Sequence, residues 1–140
     1  MNLSSIVPIL KSKFRSVPFE VKENTGDKLR VMADISINDL ADNVLLSITC
    51  YKGGTLHVFL TFDEISETME VYRLINDLNE NCSFYKAYIS KGDTNYLEIH
   101  ATSICAADEN EVADTIEFFM TEVLEDRMRK YLLPLVERTY

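Results

Sequence analysis

Two histidines, three cysteines and a scatter of carboxylates are the side chains of this 140-residue sequence that could do chemistry. His57 and His100, with Cys50 and Glu98, are the donors from which a zinc site would have to be built. Structural zinc takes four ligands, usually at short local spacing, and these four are strewn along the chain. Both histidines fall at period-two positions opposite aliphatic residues, so they should point away from the core as exposed strand side chains. A cysteine nucleophile needs a neighbouring base or cation to depress its pKa. Cys50 shares a side with Leu46 and Ile48, which favours burial. Cys82 falls at a helix end. Cys105 lies in a loop before a helix, where Asp108 and Glu109 oppose a thiolate. None of the three forms a C-x-x-C pair.

Among the carboxylates, only Glu98 sits in a setting suited to general-acid work, which requires a buried carboxyl. Glu111, Asp114, Glu122 and Glu125 read as a solvated helix face. The sequence has no G-x-S-x-G elbow, Walker lysine or H-E-x-x-H motif. Gly53-Gly54 is a hairpin turn too short to cradle a phosphate. No catalytic residue, cofactor or metal site is therefore expected; a thiol- or metal-dependent enzyme built on Cys105 or on the two histidines stays as an alternative.

Features that suit binding are better represented. Phe118 falls nearly opposite the apolar stripe of its helix, Leu132 and Leu133 widen that stripe, and Met69 and Tyr72 sit on the shoulder of another helix. A helix that is apolar beyond one face is a candidate for cover by a second subunit. Met69, Tyr72, Phe118, Leu132 and Leu133 are thus the candidate partner or dimer interface. A second cluster, Tyr85 or Tyr88 with Tyr51, Tyr96 and Phe59, lies on strands. It would be available to a partner only if the helices do not cover it, and cover by the three helices is the expectation.

The positions of these residues follow from the hydrophobic periodicity. Leu3, Ile6, Val7, Leu10 and Phe14 recur at helical spacing, and Val17-Pro18 ends that helix. Met1 to Lys13 lacks the features of a signal peptide and reads as the first helix. Phe19 to Lys22, Leu29 to Ile37, Leu46 to Tyr51 and Thr55 to Phe62 alternate with period two as a four-strand meander, with Asn38 to Asn43 as a polar loop. Ser66 can cap a helix running to about Asn81. Phe84 to Ile89 and Tyr96 to Thr102 form a second hairpin. Asp108, with Glu111 three residues on, opens a long last helix that Pro134 should end or kink. The order is α-β-β-β-β-α-β-β-α. Hairpins without β-α-β alternation predict one α+β domain over residues 1–140, an antiparallel sheet with three helices on one face.

Charge narrows the partners. The net charge is −9; Met1 to Phe62 carries seven basic and six acidic residues, whereas Asp63 to Tyr140 carries seven and seventeen. Nucleic acid and anionic membrane surfaces need the opposite sign and are disfavoured. The odd, widely spaced cysteines fit a reducing, cytoplasmic setting.

Val71-Tyr72-Arg73-Leu74-Ile75-Asn76-Asp77-Leu78-Asn79, followed by Phe84-Tyr85-Lys86-Ala87-Tyr88-Ile89, Asn95-Tyr96-Leu97-Glu98-Ile99 and the helix from Asp108 to Leu133, resembles the YbjN-like family, whose fold is like that of the type III secretion chaperones. The resemblance covers nearly the whole chain as topology and about a third as sequence; Asp39 to Asn43 departs from it. It implies a non-enzymatic, often dimeric domain that is chaperone-like or regulates sensory transduction, and it carries over no catalytic residues. The expected function is a homodimeric protein-binding module with a protein partner. A small-ligand sensor with a pocket between sheet and helices is the other alternative.

Overall fold

The period-two segments pair as a single six-stranded antiparallel sheet in the computed structural model, which describes residues 1–105 and 108–140. A 3-10 turn (Leu3–Ser5) leads into α1 (Ile6–Lys13). There follow β1 (Glu20–Asn24), β2 (Lys28–Ile37), β3 (Ala41–Tyr51), β4 (Thr55–Glu64), α2 (Met69–Asn81), β5 (Tyr85–Ser90), β6 (Tyr96–Ile104), α3 (Glu109–Glu122) and α4 (Asp126–Val136). Strand order is β1-β2-β3-β4-β6-β5, so α2 carries the chain over the sheet and the last hairpin returns with β6 beside β4. This is the expected α+β class with all strand pairs antiparallel.

Alternation decides which side chains enter the core. Leu29, Val31 and Ala33 of β2, Leu46 and Ile48 of β3, Leu56, Val58 and Leu60 of β4, and Leu97 and Ile99 of β6 are all at most 5% exposed. They meet Leu3, Ile6 and Leu10 from the N-terminal segment, Val71, Ile75 and Leu78 from α2, Ile116 and Phe119 from α3, and Met128, Leu132 and Leu135 from α4. Burying an aliphatic side chain of this size contributes roughly 1.5–3 kcal/mol of transfer free energy, so this one layer supplies most of the drive to fold.

Four sequence expectations need correction. The polar loop is shorter than expected: β3 begins at Ala41, and the turn is made at Asp39, whose φ of 60° lies in the left-handed region that a short polar side chain tolerates. The cap of α2 is Thr68, whose hydroxyl accepts from the Val71 amide at 3.1 Å; Ser66 instead meets the Tyr140 hydroxyl at 3.0 Å. Pro134 does not end the last helix, which runs on to Val136.

The largest departure is the last helix itself. It is two helices, so the described residues form four α-helices rather than three. A straight helix from Asp108 to Leu133 would be about 39 Å long, too long to stay on a domain of this size. The chain instead tightens at Leu124 and Glu125, whose amides donate to the carbonyls of Thr121 and Glu122, and Glu125 turns extended (φ −73°, ψ 140°). Arg127 reaches back across the break to hold both carboxylate oxygens of Glu122, at 2.7 and 2.6 Å. The break lets α3 pack beside α1, with Lys13 on Asp114 at 2.9 Å, while α4 packs beside α2, with Arg138 just beyond it on Glu70 at 2.6 Å. Among the described residues no helix is long and apolar enough to cross a membrane.

Candidate functional site

The second face of the sheet is where the chemistry-bearing side chains collect. Antiparallel register sets them in rows: Arg30 of β2 opposes Thr49 of β3, Thr49 opposes His57 of β4, and His57 opposes Thr102 of β6. The adjacent row runs Met32, Ser47, Phe59, His100 and Lys86, and the next joins Thr61, Glu98 and Tyr88. These side chains are mostly half-buried, in contrast to the sealed layer on the helix side. The helices pack on the opposite face, so the expectation that they cover the tyrosine-bearing strands is overturned. Tyr88, Tyr51, Tyr96 and Phe59 belong to the open face. Tyr85, one residue out of step with Lys86, is fully buried, and its hydroxyl donates to the Phe119 carbonyl at 2.9 Å.

An aromatic ladder runs down the middle of this face. Phe59 stacks flat on His100, with centroids 4.1 Å apart and planes 7° apart. His57 lies edge to edge with His100, nearly coplanar, with centroids 5.1 Å and planes 24° apart, and Tyr51 meets His57 edge-on at 6.1 Å. His57 Nδ1 lies 2.9 Å from His100 Nε2, and the Thr102 hydroxyl is 3.3 and 3.0 Å from those same nitrogens. The histidines are 43 residues apart in sequence; only the β4–β6 pairing brings them together. Partial burial holds the His100 pKa below its ordinary value, with the facing His57 adding to that and Glu98 opposing it.

Beside the ladder, Glu98 accepts hydrogen bonds from the Tyr88 and Thr61 hydroxyls, the latter at 2.9 Å. Burial first, and then the hydrogen bond to Glu98, raise the Tyr88 phenol well above its usual range. Glu98 is therefore a held acceptor on a half-open face. Lys86, opposite His100, bends around the sheet edge, and its ammonium donates to the Asn79 and Cys82 carbonyls at 2.9 and 3.2 Å.

Comparison with protein-family models, curated proteins and solved structures returns no match.

The thiols lie away from this face. Cys50, Cys82 and Cys105 are all buried, and burial, reinforced by the nearby Cys105, pushes the Cys50 thiol up to about 11. Cys105 lies, as expected, in the connection between β6 and α3, where it is buried and its sulfur contacts the Thr115 hydroxyl at 3.5 Å. Glu122, expected on a solvated face, is 6% exposed and paired with Arg127.

The five residues expected to form an interface do not make one patch. Met69, the first residue of α2, is 89% exposed, and Tyr72 one turn on donates to Glu67. Phe118 packs edge-to-face on Phe84 at 4.9 Å, beyond the other end of α2 and so about 20 Å from Met69 along the helix. Leu132 is fully buried and belongs to the core, and Leu133 is half-buried. Sequence reasoning placed the histidines outward but missed their convergence, because strand order across a helical crossover leaves no local signal.

One concavity suits a small molecule. Phe14, Ile35, Ile37, Met120, Val123 and Leu124, with the polar Ser36, Asn38 and Thr121, line a mostly apolar hollow of about 260 Å³ between the end of α1, the tip of β2 and the end of α3.

Proposed function

We propose that this protein is a non-enzymatic binding module, chaperone-like or regulatory, that acts as a homodimer in the cytoplasm and engages a protein partner, as its resemblance to the YbjN-like family and to type III secretion chaperones implies. The observation that carries the reading is the uncovered sheet face with its aromatic ladder. Tyrosine, phenylalanine and histidine offer large contact area at little entropic cost, and aromatics are enriched in interfaces.

The occupant of that face is a second copy of the chain. Six strands about 4.8 Å apart, each giving some six residues at about 3.4 Å, make a footprint near 600 Å² before side-chain relief is added. A standard interface buries about 800 Å² per partner, so one sheet face is close to the area a stable dimer needs. Charge favours the same face. On a chain of net charge −9, α3 carries four acids outside the core and no base (Glu109, Glu111, Asp114, Glu117), whereas the sheet face sets Lys28 and Arg30 against Asp34 and Glu98. Repulsion between copies is least where the sheets meet. The partner protein then docks on exposed apolar groups such as Met69 or the Phe84–Phe118 pair.

Light scattering tests this reading. A mass near twice 16.1 kDa at micromolar concentration is expected, falling to one chain in Phe59→Lys but not in Phe118→Lys. A wild-type monomer at that concentration overturns the dimer, and dissociation by Phe118→Lys alone moves it to the helix side. The apolar hollow at Leu124 favours a second reading, a sensor of a small apolar ligand, for which Leu124→Trp would fill the space and abolish binding.

A further inference from the structure

We propose that the outer edge of β5 is a second self-association surface of this chain, held shut by the side chain of Asn79. In an antiparallel pair, alternate residues turn their backbone amide and carbonyl toward the neighbouring strand, and the others turn them away. β5 has a strand, β6, on one side only. On the other side a side chain takes the place of a strand. The Ala87 amide donates to Asn79 Oδ1 at 2.7 Å, and Asn79 Nδ2 donates to the Ala87 carbonyl at 3.0 Å. One carboxamide thus supplies both the acceptor and the donor that a seventh strand would supply, near the middle of a six-residue strand. Ala87 is buried, where unpaired backbone groups are costly, so the pair of bonds has a clear physical purpose.

Lys86 closes the clasp from the strand side. Its ammonium donates to the Asn79 and Cys82 carbonyls at 2.9 and 3.2 Å, which fixes the last turn of α2 beside the edge. The opposite edge of the sheet is defended by other means. β1 carries a bulge between Val21 and Glu23 and sets Glu20, Lys22 and Glu23 along its length. β5 pairs in unbroken register and has no such defence. Its sequence, Tyr85-Lys86-Ala87-Tyr88-Ile89-Ser90, holds one charge and neither proline nor glycine, the composition of a segment that pairs with copies of itself. The occupant is therefore a second copy. Two β5 edges related by a twofold axis run antiparallel and each meets the other's outward amides and carbonyls. On a chain of net charge −9 this strand also brings no acid to the contact. With the clasp closed, association is confined to the sheet face; with it open, copies join through both surfaces and grow past the dimer. The clasp acts in this way whether or not the sheet faces pair.

Amide hydrogen exchange followed by nuclear magnetic resonance, together with analytical ultracentrifugation, tests this on the full chain. In the wild type the Ala87 amide should exchange as slowly as those of Lys86 and Tyr88, which face β6. In Asn79→Ala at low micromolar concentration the Ala87 amide should exchange at least about tenfold faster. At high micromolar concentration the mass of that variant should rise to at least about twice the wild-type value. Asn79→Asp keeps an acceptor for the Ala87 amide and sets like charges between two edges, so it should hold the wild-type mass. A wild-type Ala87 amide that exchanges as fast as an unfolded chain overturns the clasp, and this result does not depend on any variant folding. An Asn79→Ala protein with a freed amide and the wild-type mass overturns the association surface. A wild-type monomer that pairs on Asn79→Ala would refute the sheet-face dimer and uphold the edge; a wild-type dimer that Asn79→Ala does not enlarge would do the reverse.

Discussion

Tyr85 and Tyr88 lie three residues apart on one strand and answer oppositely to the same change. Tyr85 is fully buried, and its hydroxyl donates at 2.9 Å to the carbonyl of Phe119, one of the last four residues of α3. Carbonyls in that last turn lack ordinary helical partners, so the phenol acts as their cap. Tyr85→Phe keeps the ring and opens no cavity, but it strands a buried acceptor. The net hydrogen bond is worth about 1 kcal/mol and an unsatisfied buried carbonyl costs roughly 1–3 kcal/mol, so a loss of about 1.5–3 kcal/mol is expected. In Tyr88→Phe the abandoned acceptor is the Glu98 carboxylate, which is only half-buried and keeps its hydrogen bond from the Thr61 hydroxyl at 2.9 Å, so the loss should stay under about 1 kcal/mol. Urea denaturation monitored by far-ultraviolet circular dichroism measures both, with unchanged slopes showing that only stability moved. Equal losses, or a larger one for Tyr88→Phe, would refute the assignment of the two faces.

Other consequences are simpler to check. Asp108 accepts from the amides of Asn110 and Glu111 at 2.8 and 3.0 Å, and Asp108→Ala should cost about 1 kcal/mol in the same denaturation experiment. Since the His100 pKa is lowered in the fold, the unfolded chain binds more protons once pH drops below about 6.5. His100 therefore contributes a loss of stability as pH falls from about 6.5 through its folded value; His57, Glu98, Tyr88 and Lys86 are the titratable groups around it, and His100→Gln should flatten this part of the pH profile. With Cys50 pushed up to about 11 and all three thiols buried, iodoacetamide at neutral pH should label the native protein slowly and the urea-unfolded protein fully. One fast-reacting thiol in the native state would revive a thiol enzyme.

Period-two alternation was enough to read the strands, because β2 to β6 each seal one face and leave the other half-exposed; the edge strand β1 seals neither, and its Val21 is exposed. The outward aim of His57 and His100 and the burial of Cys50 follow from that alternation alone. Capping chemistry located the start of α3 at Asp108. The break between α3 and α4 was not legible, since Val123, Leu124 and Met128 continue a helical apolar pattern. What divides it is tertiary: α1 and α2 offer separate packing surfaces, and Glu122 and Arg127 bind across the break. The same limit hid the functional face. Whether helices cover one side of a sheet or both depends on how the crossover α2 and the final helices are laid down, and Leu132 is buried for that reason.

The most direct test pairs isotope-labelled with unlabelled protein and records nuclear Overhauser contacts between copies. The account predicts cross-copy contacts from the rings of Phe59, His57 and His100. Their absence from those rings, with contacts only from Phe84, Phe118 or Met69, would contradict it.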